Sequence, residues 1–215
     1  MKPEIIKICG LTDPGNIIEV VQLQPDMIGM VFFSGSKRCV IDPRQLDFLN
    51  EIQDRPLMVG VFVDPGLEDI RQVLKILKLD AIQLHGSEPP SLCESLHNEG
   101  YIIIKAFGIR PGFDFLDLEK YRGTADYFLF DTADPDYGGT GRSFDWELLG
   151  GYHGETPFLL SGGISPGTLT FPYHVQFAGI DLNSRFENEP GIKNIELLKV
   201  YLKQIKNEYN QIYPR

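Results

Sequence analysis

The stretch Lys7-Ile-Cys-Gly-Leu-Thr12 decides how the chain is read, because a short apolar strand ends there on a thiol and a glycine, with Asp13-Pro14 directly behind. Ile5, Ile6 and Ile8 read as a buried strand. Side chains alternate across a strand, so Lys7 and Cys9 share one face while Ile6 and Ile8 share the other. Gly10 allows a sharp turn, and Thr12 or Asp13 followed by Pro14 supplies an N-cap and a first-turn proline. The result is one strand, one turn and one helix start.

Outward from that stretch the same unit recurs. Residues 14–24 read as a helix, and 26–33 carry the almost unbroken run Met-Ile-Gly-Met-Val-Phe-Phe, the pattern of a strand covered on both faces. Further strands are expected at 56–63, 80–85, 101–107, 126–131, 157–161 and 177–183. Helices are expected near 43–51, 66–78, 89–99, 113–121, 145–150 and 192–207. About eight strand-then-helix units in 215 residues suit one α/β domain over 1–215, a closed (β/α)8 TIM barrel. Residues 165–173 hold two prolines, so the seventh helix is expected to be short or irregular. An open doubly wound sheet is the alternative; about eight units and no GxGxxG after the first strand count against it.

A formal net charge of −10 gives nucleic acid or an anionic membrane no basic surface to meet, so neither is expected as a partner. A small anion is still allowed, since charges screen over roughly 8 Å. Three cysteines, at 9, 39 and 93, lack CxxC spacing, which fits a reducing compartment better than a disulfide framework or a zinc site. No apolar run suits a signal peptide or a membrane span. A cytoplasmic protein is the expectation.

Barrel enzymes build their sites at the carboxyl ends of the strands, and polar residues collect there. Cys9 ends the first strand, Gln83 and His85 the fourth, Asp131 the sixth, and Asp181 and Asn183 the eighth. Singly each reads equally well as a cap or a structural group; together they point to a site. Ser161-Gly162-Gly163 and Asn183-Ser184 follow strands seven and eight, where such barrels often hold a phosphate; an ordinary turn is the other reading. The glycine-rich segment 136–142 reads as a mobile loop over the site. In Ser36-Lys37-Arg38, Arg38 is a candidate for gripping a carboxylate with its planar fork, against the plainer reading of a solvated basic loop. Cys9 is either an inert buried thiol or one whose pKa Lys7 lowers, and Lys7 equally suits a buried pair with Asp181.

Several motifs in order resemble the phosphoribosylanthranilate isomerase family: Lys7-Ile-Cys-Gly-Leu-Thr12, Ser36-Lys-Arg38, Val59-Gly-Val-Phe-Val63, Gln83-Leu-His-Gly86, Phe130-Asp-Thr132, Gly138-Gly-Thr-Gly141 with Phe144-Asp-Trp146, and Leu160-Ser-Gly-Gly-Ile164. The resemblance covers nearly the whole chain and implies an Amadori rearrangement of a phosphorylated sugar–anthranilate substrate, without metal or organic cofactor. By the match, Asp131 is the general acid and Cys9 the general base. Arg38 holds the anthranilate carboxylate, and the backbone at Gly162, Gly163 and Ser184 holds the phosphate. His85 and Asn183 join them as substrate-binding residues. Such an acid must keep its proton, which apolar neighbours such as Leu129 and Phe130 are expected to favour. The family's loop after strand eight usually reads Asp-Val-Ser-Ser-Gly-Val-Glu; here it is Asp181-Leu-Asn-Ser-Arg-Phe-Glu187. Arg185 stands in place of a glycine, so a residue that resists φ > 0 enters the phosphate loop.

The related isomerase of histidine biosynthesis needs aspartates at the ends of strands one and five, where this chain has Cys9 and Ala106-Phe107. A barrel that binds a phosphorylated metabolite or a protein without catalysis is the reading from another class.

Overall fold

The computed structural model describes residues 3–133, 144–172 and 174–212, with side chains described to residue 206. Eight parallel strands follow one another around a closed barrel: β1 (Ile5–Cys9), β2 (Met27–Val31), β3 (Leu57–Phe62), β4 (Ala81–Leu84), β5 (Ile102–Ile109), β6 (Tyr127–Thr132), β7 (Phe158–Leu160) and β8 (Gly179–Leu182). Closure comes from β8 pairing with β1, with Lys7 opposite Asp181. This is the barrel expected from the repeated units.

Four α-helices are present among the described residues: α1 (Pro14–Gln22), α2 (Leu67–Leu74), α3 (Pro90–Asn98) and α4 (Ile195–Ile212). Asp13 caps α1, its carboxylate accepting from the Asn16 N–H at 2.7 Å, with Pro14 in the first turn. Three connections read from sequence as helices are 3₁₀ segments instead: Pro43–Glu51, Phe115–Tyr121 and Trp146–Gly151. The tighter coil rises about 2.0 Å per residue against about 1.5 Å, so a short connection reaches further along the barrel. Between β7 and β8 no helix occurs among the described residues, as the prolines foretold.

The last expected helix starts late. Residues 192 and 193 belong to a small antiparallel hairpin, β9 (Glu187–Glu189) with β10 (Ile192–Lys193), which follows a 3₁₀ turn at Ser184–Phe186.

Strand alternation divides the core in two. Outward side chains such as Ile8, Ile28, Met30, Met58, Ile82, Phe130, Leu160 and Ile180 pack beneath the helices. Inward ones fill the lumen: Met27, Val31, Val59, Val61, Ala81, Ile104, Ala106, Leu129 and Leu159, with Cys9 among them. The strand pairings stack these in layers drawn from alternate strands, as a tilted, staggered barrel requires. Lys7, Val59, Ile104 and Leu159 form one layer; Gly29, Gln83, Leu129 and Asp181 lie above it. Cys9, Val61, Ala106 and Ser161 come next, and Val31, His85, Asp131 and Asn183 complete the carboxyl end. Apolar filling thus gives way to polar side chains towards the mouth.

Candidate active site

Gly29 makes room for Cys9: a Cβ there would come within 2.7 Å of the Cys9 sulfur. Beneath the thiol, Lys7 donates to Asp181 at 2.9 Å, with side-chain exposures of 0% and 6%. Both pairings foreseen for Lys7 therefore meet in one group. Burial alone would lower Lys7, but the Asp181 carboxylate and the Cys9 sulfur outweigh it and hold the ammonium above its usual value. Burial pushes the Cys9 thiol up; Lys7 pulls it back, and Asp181 pushes it further up. Lys7 thus favours the thiolate without overcoming desolvation.

Asp131 lies on the layer above, on the lumen face shared with Leu129. Its Oδ1 accepts from the Thr132 N–H at 2.7 Å, and its Oδ2 is 3.6 Å from His85 Nε2. Phe130 does not flank this carboxyl. As the adjacent residue on β6 it faces the opposite way, packing its ring 4.6 Å from that of Phe158 in the outer shell. The apolar neighbour on the lumen side is Leu129.

His85 is held from below, with Gln83 Nε2 2.8 Å from its Nδ1. Burial, then the nearby charges of Lys7 and Lys105, push its imidazole down to about 3, so the ring is neutral at working pH. An amide hydrogen donated by Gln83 to Nδ1 would put the ring's one proton on Nε2, towards Asp131.

The other half of the mouth is built by Arg38. The chain after β2 folds back on itself, Val40 N–H donating to Val31 at 2.8 Å, and this brings Arg38 over the barrel end. Arg38 Nε donates to Glu187 Oε1 at 2.9 Å and Nη2 to Oε2 at 2.6 Å, a bidentate fork. Glu187 Oε1 also accepts from Lys193 Nζ at 2.7 Å, and Lys193 reaches Asn183 Oδ1 at 2.9 Å. Burial would raise Glu187, but the two cations outweigh it and hold its carboxyl below the usual range. Gly10, at φ +78°, is where these parts converge: a Cβ would lie 2.6 Å from both Arg38 Cδ and Asn183 Oδ1.

Gly162 and Gly163 adopt φ of +72° and +81°, and a Cβ on Gly162 would come within 2.9 Å of Asp131 Oδ1. The glycine turn therefore packs directly against that carboxyl. Ser184 opens the 3₁₀ turn after Asn183. Arg185 lies in this turn and is absent from the non-glycine residues with positive φ, which among the described residues are Gln24, Asp54 and Asp64. No left-handed residue is needed where the family carries glycine, so the anticipated obstacle is not met. The loop at 136–142 lies outside the described residues.

Six of the eight residues singled out from sequence are joined here by contact, close approach or lumen layer; Gly163 and Ser184 adjoin two of them, Gly162 and Asn183. Glu187, Lys193 and the tautomer-setting Gln83 were not assigned roles.

A closed parallel barrel that gathers a thiol, a carboxyl, an imidazole and a guanidinium at its carboxyl end has the architecture of the (β/α)8 enzymes. The family model described as N-(5'phosphoribosyl)anthranilate (PRA) isomerase matches residues 6–204. The chain belongs to this isomerase family. It is 48% identical over 205 residues to N-(5'-phosphoribosyl)anthranilate isomerase of Parabacteroides distasonis, covering 94% of this chain and 93% of the relative. Among solved structures it resembles phosphoribosyl anthranilate isomerase from Thermotoga maritima, with a TM-score of 0.82 and 34% identity, covering 94% and 98% of the two chains. Another similar structure of such an isomerase holds reduced 1-(o-carboxyphenylamino)-1-deoxyribulose 5-phosphate; its TM-score is 0.79 at 31% identity, with the same coverage.

Proposed function

We propose that this isomerase converts N-(5'-phosphoribosyl)anthranilate to 1-(2-carboxyphenylamino)-1-deoxyribulose 5-phosphate, the Amadori step of tryptophan biosynthesis. The observation that carries the reading is the placement of Cys9 and Asp131 on adjacent lumen layers beneath one mouth. Asp131 protonates the furanose ring oxygen as the anthranilate nitrogen lone pair opens the ring, giving a protonated Schiff base. The Cys9 thiolate then removes the C2' proton, the C–H electrons flow to the iminium nitrogen, and the enolamine tautomerises to the ketone. The neutral His85 Nε2–H faces Asp131 and supports its carboxylate once the proton has left. Arg38 holds the anthranilate carboxylate, the backbone at Gly162, Gly163 and Ser184 holds the phosphate, and Asn183 lies between them. The reaction needs no metal or organic cofactor. A reducing, cytoplasmic setting suits its three unpaired cysteines.

The test is turnover of phosphoribosylanthranilate, followed by the loss of its fluorescence. Cys9→Ala and Asp131→Asn should each lower kcat by at least about 100-fold while still binding the reduced product analogue. Wild-type rates in both variants would overturn the assigned roles.

A further inference from the structure

Arg38, assigned above to the substrate carboxylate, is already forked by a carboxylate of the protein. A closed Arg–Glu pair carries no net charge and has little attraction for a second anion. The third member of the cluster removes this difficulty. Lys193 is fully buried, and its ammonium lies 2.7 Å from the same Glu187 oxygen that accepts from Arg38 Nε. Arg38 and Lys193 together set two positive charges against one negative charge, leaving about one unit of positive charge at the mouth.

Lys193 is held there from several sides. Its backbone N–H donates to Asn16 Oδ1 at 2.7 Å, and its carbonyl accepts from Asn16 Nδ2 at 2.9 Å, which fastens β10 to the first turn of α1. Gly191, at φ +93°, turns the hairpin back towards Thr12, whose backbone N–H donates to the Gly191 carbonyl at 3.3 Å. Burial, opposed by Glu187, lowers the Lys193 ammonium from its usual value. The fold thus accepts the desolvation of a lysine with no exposed surface.

We propose that Lys193 is a positioning residue for the carboxylate end of the substrate. By sharing Glu187 it leaves Arg38 with uncompensated charge, and its bond to Asn183 Oδ1 directs that amide. This rests on the carboxylate assignment made for Arg38 above. Deeper in the lumen, Lys7 and Asp181 cancel as a pair.

The test uses calorimetric binding of two probes: reduced 1-(o-carboxyphenylamino)-1-deoxyribulose 5-phosphate, and the same molecule without its carboxyl group. Lys193→Met should weaken the first about tenfold or more and change the second less than about threefold, with turnover losing in KM more than in kcat. Lys193→Met/Glu187→Gln leaves Arg38 as the one charge of the cluster and should recover binding of the first probe to within about threefold of wild type. A lysine serving only to fill space predicts equal losses for both probes and no recovery in the double variant; either result overturns the proposal. If Lys193→Met does not fold, the double variant decides alone: it must prefer the carboxylate probe as wild type does. Wild-type turnover is scored separately, so its failure would count against the isomerase reading and leave the charge-sharing result standing.

Discussion

Replacing Lys7 with Met should destabilise the barrel far more than its modest change in volume suggests. The Lys7 ammonium sits 2.9 Å from Asp181 Oδ1, with both side chains shielded from water. At an effective dielectric constant near 20, charges at that separation attract by about 6 kcal/mol, most of which offsets the desolvation of both groups. Removing the lysine discards the attraction and leaves Asp181 buried without it, a loss of about 3–5 kcal/mol. For a domain of this size each kcal/mol moves Tm by roughly 2–4 °C, so a drop of about 6–20 °C is expected by calorimetry. The double variant Lys7→Met/Asp181→Leu removes both charges and should recover most of that loss. The pH dependence has a definite sign. Because Lys7 is held above its usual value of 10.5, the pair's contribution is complete below that value and is lost only as pH rises past the folded one. The deficit of Lys7→Met should therefore be constant between about pH 6 and 9. A second readout follows from the thiol: without Lys7, the rising limb of the pH–rate profile should move to higher pH, because the nearest charge favouring the Cys9 thiolate is gone. A Lys7→Met protein melting within about 2 °C of wild type, or a double variant as unstable as the single, would refute this account.

Gly10→Ala forces a Cβ into a left-handed residue and against Arg38 and Asn183, so a stability loss of about 1–3 kcal/mol in chemical denaturation and a raised KM are expected. Gly29→Ala pushes on the Cys9 sulfur from below; kcat should fall more than KM rises in steady-state kinetics, since the base moves while the substrate grips remain. His85 stays neutral in the folded protein down to about 3, whereas the unfolded chain takes up a proton near 6.5. Its contribution is present above 6.5 and is lost as pH falls towards 3, by at most about 1.4 kcal/mol per pH unit. His85→Gln should flatten that part of the stability–pH curve in urea titrations.

The strands were legible because their patterns are strong. Apolar runs at 27–33 and 57–62 admit few other readings, and period two puts Lys7 with Cys9, Gln83 with His85 and Asp181 with Asn183 on one face of each strand; which face lines the lumen comes from the closed register. The same period, applied one residue further, excludes Phe130 from the surroundings of the Asp131 carboxyl. Helix type was less legible. The patterns at 43–51, 115–121 and 146–151 mark covered faces, but amphipathic spacing over two turns does not separate an α-helix from a 3₁₀ segment. Glu187 went unassigned because Arg38 lies 149 positions away in sequence, and Lys193 because the backbone anchor that seats it, Asn16, lies 177 away, although its side-chain partners Glu187 and Asn183 are near in sequence. A signal was present nonetheless: Pro190-Gly191 is a turn dipeptide, and a lysine beyond it between Ile192 and Ile195 is badly placed for a helix start.

The pairing of β8 with β1 has a consequence for the nascent chain. Ile5 to Cys9 leave the ribosome before the other seven strands, and one edge of β1 has no partner until Gly179–Leu182 have been translated. Throughout that interval it presents open N–H and C=O groups beside an apolar surface, the combination that invites association between polypeptides. Holding factors that bind exposed hydrophobic segments should therefore engage the first barrel strand during translation and release it only after the eighth has emerged.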